Sequence, residues 1–197
     1  MKKVLGIGGS PRKGGNTDIV LRQILRGAES AGIATEEVHL RDYRFDSCIG
    51  CERCRKDKTC TGVMDAMQLL YPKILESTGL VIISPIYNHS VTAPVKAFID
   101  RMYCFYDFSE ERPGSWSSRL AGQGRKAVVG AIGEQPTVKG SGMDLTLELM
   151  RTAISDLGYE VFGELPVLGV FQKGKVKERK DCMEEAEKLG SALGKEL

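Results

Sequence analysis

Four of the six cysteines fall within thirteen residues, at a spacing that could hold a redox-active metal cluster. The run reads C-x2-C-x2-C-x5-C and contains Cys48, Cys51, Cys54 and Cys60. Thiolates three residues apart can converge on one face of a turn, so a single short loop can supply four sulfurs to a [4Fe–4S] cluster. Gly50 would relieve crowding beside the metal. In a reducing compartment, clustered cysteines indicate metal or redox chemistry more often than disulfides.

The spacing of this cysteine-rich loop, residues 48–60, differs from the bacterial ferredoxin pattern, because it lacks the proline and its longer final gap could let Cys60 return to the same cluster. Two other interpretations of the loop stay open. The loop could also hold no metal, or it could hold zinc, although structural zinc sites favour two separated cysteine pairs. Cys104 and Cys182 stand alone and are expected to be small buried hydrophobes. The basic residues that would offset the charge of a ligated cluster are Arg53, Arg55, Lys56 and Lys58.

A second segment, residues 8–17, has the composition of a phosphate-binding loop. It lies between an apolar run and a helical pattern, so the N–H groups of a helix N-terminus would face its occupant. Ser10, Asn16 and Thr17 would add neutral donors, and Arg12 would add a charged, planar donor fork. The segment matches neither the Walker A loop nor the dinucleotide fingerprint. The alternative is a glycine-rich turn in which Thr17 merely caps the helix.

Alternating strands and helices must position these segments. Apolar runs predict five strands, at 3–8, 36–40, 79–84, 126–132 and 160–168. Helical spacing predicts helices at 17–31, 64–75, 93–103, 142–157 and 175–193, and residues 105–123 are expected to form a loop. The alternation predicts a single α/β domain over 1–197 with a five-stranded parallel sheet in the order 2-1-3-4-5. A ligand would lie where that order reverses, at the carboxyl ends of strands 1 and 3.

The glycine-rich loop resembles the FMN phosphate loop of the NAD(P)H-dependent FMN reductase superfamily, whose fold is a flavodoxin-like three-layer sandwich. The similarity continues through residues 84–101, which resemble the family's second flavin loop and the helix that follows it. The resemblance implies that FMN is bound by Ser10, Arg12, Gly15, Asn16, Thr17, Pro85, Ile86, Tyr87, Asn88, Ser90 and Gly133. It also implies that Pro85, Tyr87 and Asn88 border the flavin ring, with backbone N–H groups directed at it. The flavin N5, and no side chain, would carry the chemistry.

The cysteine run, in such a chain, resembles that of the iron–sulfur flavoproteins of anaerobic bacteria and archaea. The resemblance implies that Cys48, Cys51, Cys54 and Cys60 bind a [4Fe–4S] cluster near the flavin of a neighbouring subunit. The protein would then be a homodimer or homotetramer that passes electrons from a ferredoxin-type donor to a small acceptor such as a quinone, O2 or peroxide. Two alternatives stay open: an NAD(P)H-dependent flavin, quinone or azo reductase without a cluster, and a non-catalytic flavodoxin-like electron carrier.

Composition and charge narrow the class of partner. The net charge of +2, with 42% hydrophobic and 27% charged residues, is ordinary for a soluble protein and gives no basic patch for nucleic acid or membrane. The near-neutral charge also disfavours a simple electron carrier, which usually docks through an acidic face. The N-terminus lacks the apolar stretch of a signal peptide, so a cytoplasmic protein is expected. The sequence leaves open whether His89 faces a substrate and whether Glu134 contacts the flavin.

Overall fold

The computed structural model describes residues 2–197, which form alternating strands and helices. The strands are β1 (Lys3–Gly8), β2 (Ala34–His39), β3 (Gly79–Pro85), β4 (Tyr106–Phe108), β5 (Trp116–Ser118), β6 (Lys126–Ile132) and β7 (Glu160–Val167). The α-helices are α1 (Asn16–Ser30), α2 (Arg53–Asp57), α3 (Leu70–Glu76), α4 (Ala93–Arg101), α5 (Met143–Asp156) and α6 (Lys180–Glu196). Five strands form one parallel sheet in the order β2-β1-β3-β6-β7. The predicted order 2-1-3-4-5 is confirmed for the strands of this sheet.

The sheet is buried on both faces, and the alternation of its side chains shows why. All seven residues of β3 are buried. Leu80 and Ile82 pack with α3, α4 and α5 on one face, while Val81 and Ile83 pack with α1 and α6 on the other. This two-sided burial is what makes the central strands continuous apolar runs. Among residues 2–197, none of the helices combines the length and the apolar character needed to traverse a bilayer.

Two predicted helices begin later than expected, because a 3-10 turn precedes each of them. The helix expected at 64–75 begins as a 3-10 turn over Ala66–Leu69, and α3 starts only at Leu70. Pro72 fits this arrangement because it lies in the first turn of α3, where its missing N–H leaves no intrahelical bond unmade. The helix expected at 175–193 is a 3-10 turn over Lys175–Glu178 followed by α6.

The prediction of a plain loop at 105–123 is wrong. Two three-residue strands, β4 and β5, pair there as an antiparallel hairpin, with Phe108 opposite Trp116. The hairpin covers the cysteine-rich loop, which itself contains the short helix α2. The segments are too short to show a period of two, so no alternation marks them in the sequence.

Helices α1 and α6 approach closely through glycine. A Cβ built on Gly190 would lie 1.8 Å from the carbonyl oxygen of Ile24, and one on Gly27 would lie 2.2 Å from that of Glu187. Neither neighbour is a flexible side-chain end, so a methyl group at either position would push the helices apart. The absence of a Cβ at these two positions therefore sets the distance between α6 and α1, the helix that follows the glycine-rich loop.

We expect Gly190→Ala to destabilise the protein by about 1–3 kcal/mol through overpacking. The direction of this change in unfolding free energy tests the close packing, because a glycine-to-alanine substitution in a free helix interior stabilises by roughly 0.5–1 kcal/mol. Urea unfolding followed by circular dichroism measures the change. Ser191→Ala, one residue along the same helix, is the control and should stay within about 0.5 kcal/mol of the parent. A Gly190→Ala protein as stable as the parent would contradict this packing.

Candidate functional site

The glycine-rich loop joins the end of β1 to the start of α1 and is held against the next strand. The N–H of Gly9 donates to the carbonyl of Ile83 at 2.8 Å, and Thr92 Oγ1 donates to the carbonyl of Gly9 at 2.7 Å. Gly15 is the N-cap of α1, so Thr17 does not cap the helix. The N–H groups of the first turn have no partner within the helix and are available to an anion.

A buried ion pair fixes the shape of this loop. Asp18 is fully buried, and both of its carboxylate oxygens accept hydrogen bonds from Arg41, at 2.9 and 2.8 Å. Asp18 also accepts the N–H of Gly14 at 2.7 Å, while Arg41 donates to the carbonyl of Ser10 at 3.1 Å. The pair thus ties the two ends of the loop together, and Arg41 offsets a carboxylate that would otherwise repel an anion.

The predicted side chains of the loop divide into two groups. Ser10 and Thr17 are 3% and 2% exposed and lie in the loop itself. The Asn16 amide instead donates to the carbonyl of Gln172 at 2.9 Å, so it fastens another segment. The Arg12 guanidinium likewise turns outward, 5.7 Å above the ring of Phe171. The loop therefore offers backbone N–H groups and hydroxyls more than the charged fork expected of Arg12.

The second predicted loop makes a tight turn at the end of β3. Tyr87 and Ser90 exchange backbone hydrogen bonds of 2.8 and 3.1 Å. Asn88 and His89, between them, both have positive φ, 47° and 65°, as in a type I′ turn. The Tyr87 N–H is engaged within the turn, so it is not free to face a flavin as expected. The N–H groups at the tip belong to Asn88 and His89.

A cavity of about 570 Å³ opens between this turn and the segment after β6. Its volume lies within the range of ligand pockets, about 300–1,000 Å³. Three residues from the predicted set line it: Ile86, Asn88 and Gly133. Pro85, Tyr87 and Ser90 belong to the same turn but do not line the cavity. His89 and Glu134, whose roles the sequence left open, also line it, and the sequence analysis missed the rest of the wall, which comes mostly from residues 137–143.

The four cysteines of the run line a second cavity, of about 250 Å³. All four are free thiols; Cys48 and Cys51 are exposed, Cys60 is half-buried and Cys54 is buried. Gly62 approaches closely here: a Cβ on it would lie 2.2 Å from the Cys51 sulfur, which would have to turn away. Cys104 and Cys182 are buried elsewhere, as expected.

The arrangement of these thiols bears on which metal group would fit. Within residues 2–197, no group of three or more His, Cys, Asp or Glu side chains is placed to hold a metal ion. A [4Fe–4S] cluster differs from a single ion, because each iron takes one thiolate and the sulfurs surround a cube. Burial raises the pKa of the Cys54 thiol, and the nearby Cys60, Cys48 and Cys51 raise it further. Because no single-ion geometry is present among residues 2–197 while four thiols surround one cavity, the arrangement fits a cluster better than a zinc ion.

Arg101 anchors the cysteine-rich loop from α4. Its side chain is 1% exposed and donates to Asp65 at 2.8 and 3.1 Å. It also donates to the carbonyls of Asp46 at 2.9 Å and Val63 at 3.1 Å, so one guanidinium holds both ends of the loop. Arg101 and Tyr103 line the cysteine cavity directly.

The basic residues of the run do not all surround the thiols as expected. Arg55 donates to the Ser109 carbonyl at 2.7 Å and lies 4.9 Å from the ring of Phe108. Lys58 pairs with Asp107 at 2.6 Å. These contacts attach the β4–β5 hairpin to α2, and the hairpin supplies the acceptors and the aromatic face. The positive charge lining the cavity comes from Arg101 instead.

Asp18, Arg41, Asp65 and Arg101 are structural supports of the site that the sequence analysis missed. The strand register could have indicated one of them. Because β1 and β2 pair in parallel with Gly8 opposite His39, residues just after β2 must lie beside the phosphate loop. No comparable local signal links Asp65 to Arg101, since they belong to different elements and meet only in the folded chain.

We expect Asp65→Asn to cost about 3–5 kcal/mol at pH 7, because it leaves the buried Arg101 without its counter-charge. Burial alone would raise the pKa of Asp65, but Arg101 and the N–H groups of Asp46 and Met67 hold it below its usual value. The contribution is therefore complete above the unfolded value of about 3.9 and is lost as the pH falls through the lower folded value. Urea midpoints of parent and variant at several pH values measure it.

The control is Asp156→Asn, which removes an exposed carboxylate at the end of α5. It should change stability by no more than about 0.5 kcal/mol at any of these pH values. If Asp65→Asn behaved like this control at pH 7, the anchoring role of the pair would be wrong.

Comparison with known proteins places the chain in a family. A family model described as NADPH-dependent FMN reductase matches residues 2–135. An iron–sulfur flavoprotein of Archaeoglobus fulgidus is 31% identical over 192 residues, which cover 97% of this chain and 78% of that protein. An iron–sulfur flavoprotein of Methanocaldococcus jannaschii is 38% identical over 99 residues, which span 50% of this chain and 51% of that relative.

A solved structure agrees with the fold. The NAD(P)H:quinone oxidoreductase from Methanothermobacter marburgensis matches with a TM-score of 0.72 over 98% of both chains. Its sequence identity of 20% supports the flavodoxin-like fold alone. The family assignment depends instead on the family model and on the Archaeoglobus fulgidus relative. The chain therefore belongs to the NADPH-dependent FMN reductase family of flavin-dependent oxidoreductases and, within it, to the iron–sulfur flavoprotein branch.

Proposed function

We propose that this chain binds FMN at its strand-end loops and a [4Fe–4S] cluster at Cys48, Cys51, Cys54 and Cys60. Its activity is the transfer of electrons from a ferredoxin-type donor to a small acceptor such as a quinone, O2 or peroxide. The single observation that supports this most directly is that all four cysteines of the run line one cavity. The names of the curated relatives, iron–sulfur flavoproteins, support the presence of a cluster.

The loops suit the parts of FMN. The N–H groups of the first turn of α1, with the hydroxyls of Ser10 and Thr17, would hold the phosphate. The turn at Asn88 and His89 would direct N–H groups at the ring, which stabilises negative charge gained on reduction. Bound FMN would exchange one or two electrons and so connect single-electron donors with two-electron acceptors.

The cysteine cavity suits a charged cluster. Thiols must lose their protons to ligate iron, and Arg101, which pairs with Asp65, is a cation among the residues that line the cavity. Tyr103 forms part of the wall. Cys48 and Cys51 are solvent-exposed in the single chain, and a second subunit would cover them. The proposed active unit is therefore a homodimer or homotetramer, working in the cytoplasm.

Anaerobic purification followed by absorption spectroscopy tests the cofactors. We expect a broad iron–sulfur absorbance beneath the flavin bands, with one FMN and about four irons and four sulfides per chain. Flavin bands without iron or sulfide would contradict the cluster. The absence of flavin would contradict FMN binding itself.

Substitution of one thiol tests the ligand set. Cys54→Ala should abolish most of the iron and sulfide while leaving FMN bound, because the cavity loses the thiol that it buries most deeply. Cys182→Ala removes a buried cysteine on α6 and is the matched control, with unchanged iron content. Equal iron content in the two variants would exclude Cys54 as a ligand.

A second candidate is an NAD(P)H-dependent flavin or quinone reductase without a cluster. The name of the matching family model and that of the Methanothermobacter marburgensis enzyme favour it. Stopped-flow reduction separates the two functions. Rapid reduction of the flavin by reduced ferredoxin, with sluggish reduction by NADH and NADPH, is the outcome expected for the iron–sulfur flavoprotein. Rapid hydride transfer from NADH or NADPH in a protein without iron would favour the reductase.

A further inference from the structure

The loop after β7, residues 171–176, is fastened to the phosphate loop. Asn16, which is 4% exposed, donates through Nδ2 to the carbonyl of Gln172 at 2.9 Å. Its Oδ1 accepts the N–H of Val176 at 3.3 Å. Arg12 adds a hydrogen bond of 3.4 Å to the carbonyl of Phe171. One buried amide therefore fixes two points of the 171–176 loop against the start of α1.

Lys173 lies between those two fixed points and beside the phosphate loop. A Cβ built on Gly14 would stand 3.7 Å from Lys173 Cε and 4.0 Å from Lys173 Nζ. The neighbouring Lys175 pairs with Glu178 at 2.7 Å, whereas no carboxylate of residues 2–197 lies within 4.0 Å of the Lys173 ammonium. The structure thus places an exposed lysine that has no carboxylate partner among these residues beside the loop.

The helix N-terminus at this loop supplies less positive charge than a bound phosphate would carry. A phosphate monoester carries about −1.5 to −2 at pH 7, and a helix N-terminus supplies only about half a positive charge. Arg41 is already committed to the Asp18 carboxylate, and Arg12 faces Phe171. Lys13 is exposed on the loop, so it is the other candidate.

We propose that Lys173 is a phosphate-binding residue of this site, with its ammonium pairing with the 5′-phosphate of FMN. The inference rests on the proposed function, since it takes FMN as the ligand of the loop. A lysine suits the role because its flexible stem lets a point charge follow the phosphate without a fixed fork geometry. The same chemistry would serve the phosphates of NADPH, so the test must separate these two sources.

Flavin-depleted full-length protein, titrated with FMN and with riboflavin by fluorescence quenching, tests the proposal. Riboflavin has the same ring and ribityl chain but no phosphate. We expect Lys173→Gln to raise the Kd for FMN about tenfold and to leave the Kd for riboflavin within about twofold. Lys173→Arg should retain most of the FMN affinity. Lys177→Gln, an exposed lysine four residues along, is the control and should change neither constant.

Each other outcome overturns the inference in a distinguishable way. If Lys173→Gln leaves the FMN affinity unchanged, the positive charge that binds the phosphate lies elsewhere. The same conclusion follows if Lys13→Gln, and not Lys173→Gln, lowers the affinity. If Lys173→Gln weakens the binding of FMN and of riboflavin equally, the substitution has damaged the fold. If it alters the KM for NADPH but not for NADH and leaves FMN binding unchanged, the lysine binds the nucleotide instead. If the parent protein binds neither flavin, the proposed function fails, and the inference fails with it.

Discussion

Two buried arginine–aspartate pairs hold the two loops on which the proposed chemistry depends. Arg41 with Asp18 closes the phosphate loop, and Arg101 with Asp65 closes the cysteine-rich loop. Both loops contain few large apolar residues: one is rich in glycine and small polar residues, and the other in cysteine and charged residues. Apolar burial therefore cannot fix their shape, and directional charge-assisted hydrogen bonds must do so. In each pair the arginine also donates to loop carbonyls, so the ion pair serves as a brace between two chain segments.

A strained turn forms one wall of the cavity between β3 and α5. Asn88 and His89 both adopt the left-handed region, which non-glycine residues enter at a cost of order 1 kcal/mol or more each. Gly142 makes this possible, because a Cβ on it would lie 2.4 Å from the Cα of His89. The turn after β3 and the start of α5 are thus in direct contact, and the cavity between them cannot widen without breaking that contact.

Much of the fold was predictable from local pattern, whereas the supports of the site were not. Strands β3 and β6 are continuous apolar runs between helices, so their existence and order followed from periodicity and the right-handed crossover. The cysteine spacing and the glycine-rich loop indicated which segments carry the site. The partners of Asp18 and Asp65 lie 23 and 36 residues away, so only the tertiary fold brings them together. The late start of α3 could in principle have been predicted from Pro72, because a proline limits where a helix can begin.

The β4–β5 hairpin has a spectroscopic consequence. Trp116 is the only tryptophan of the chain, and it is 51% exposed, edge-on to Tyr106 at 5.2 Å between ring centroids. The hairpin is also attached to α2 of the cysteine-rich loop through Arg55 and Lys58. Emission on excitation at the red edge of indole absorption therefore arises from one place, on the hairpin that contacts α2. The protein carries its own fluorescent reporter of whether that hairpin stays docked, with no label to introduce.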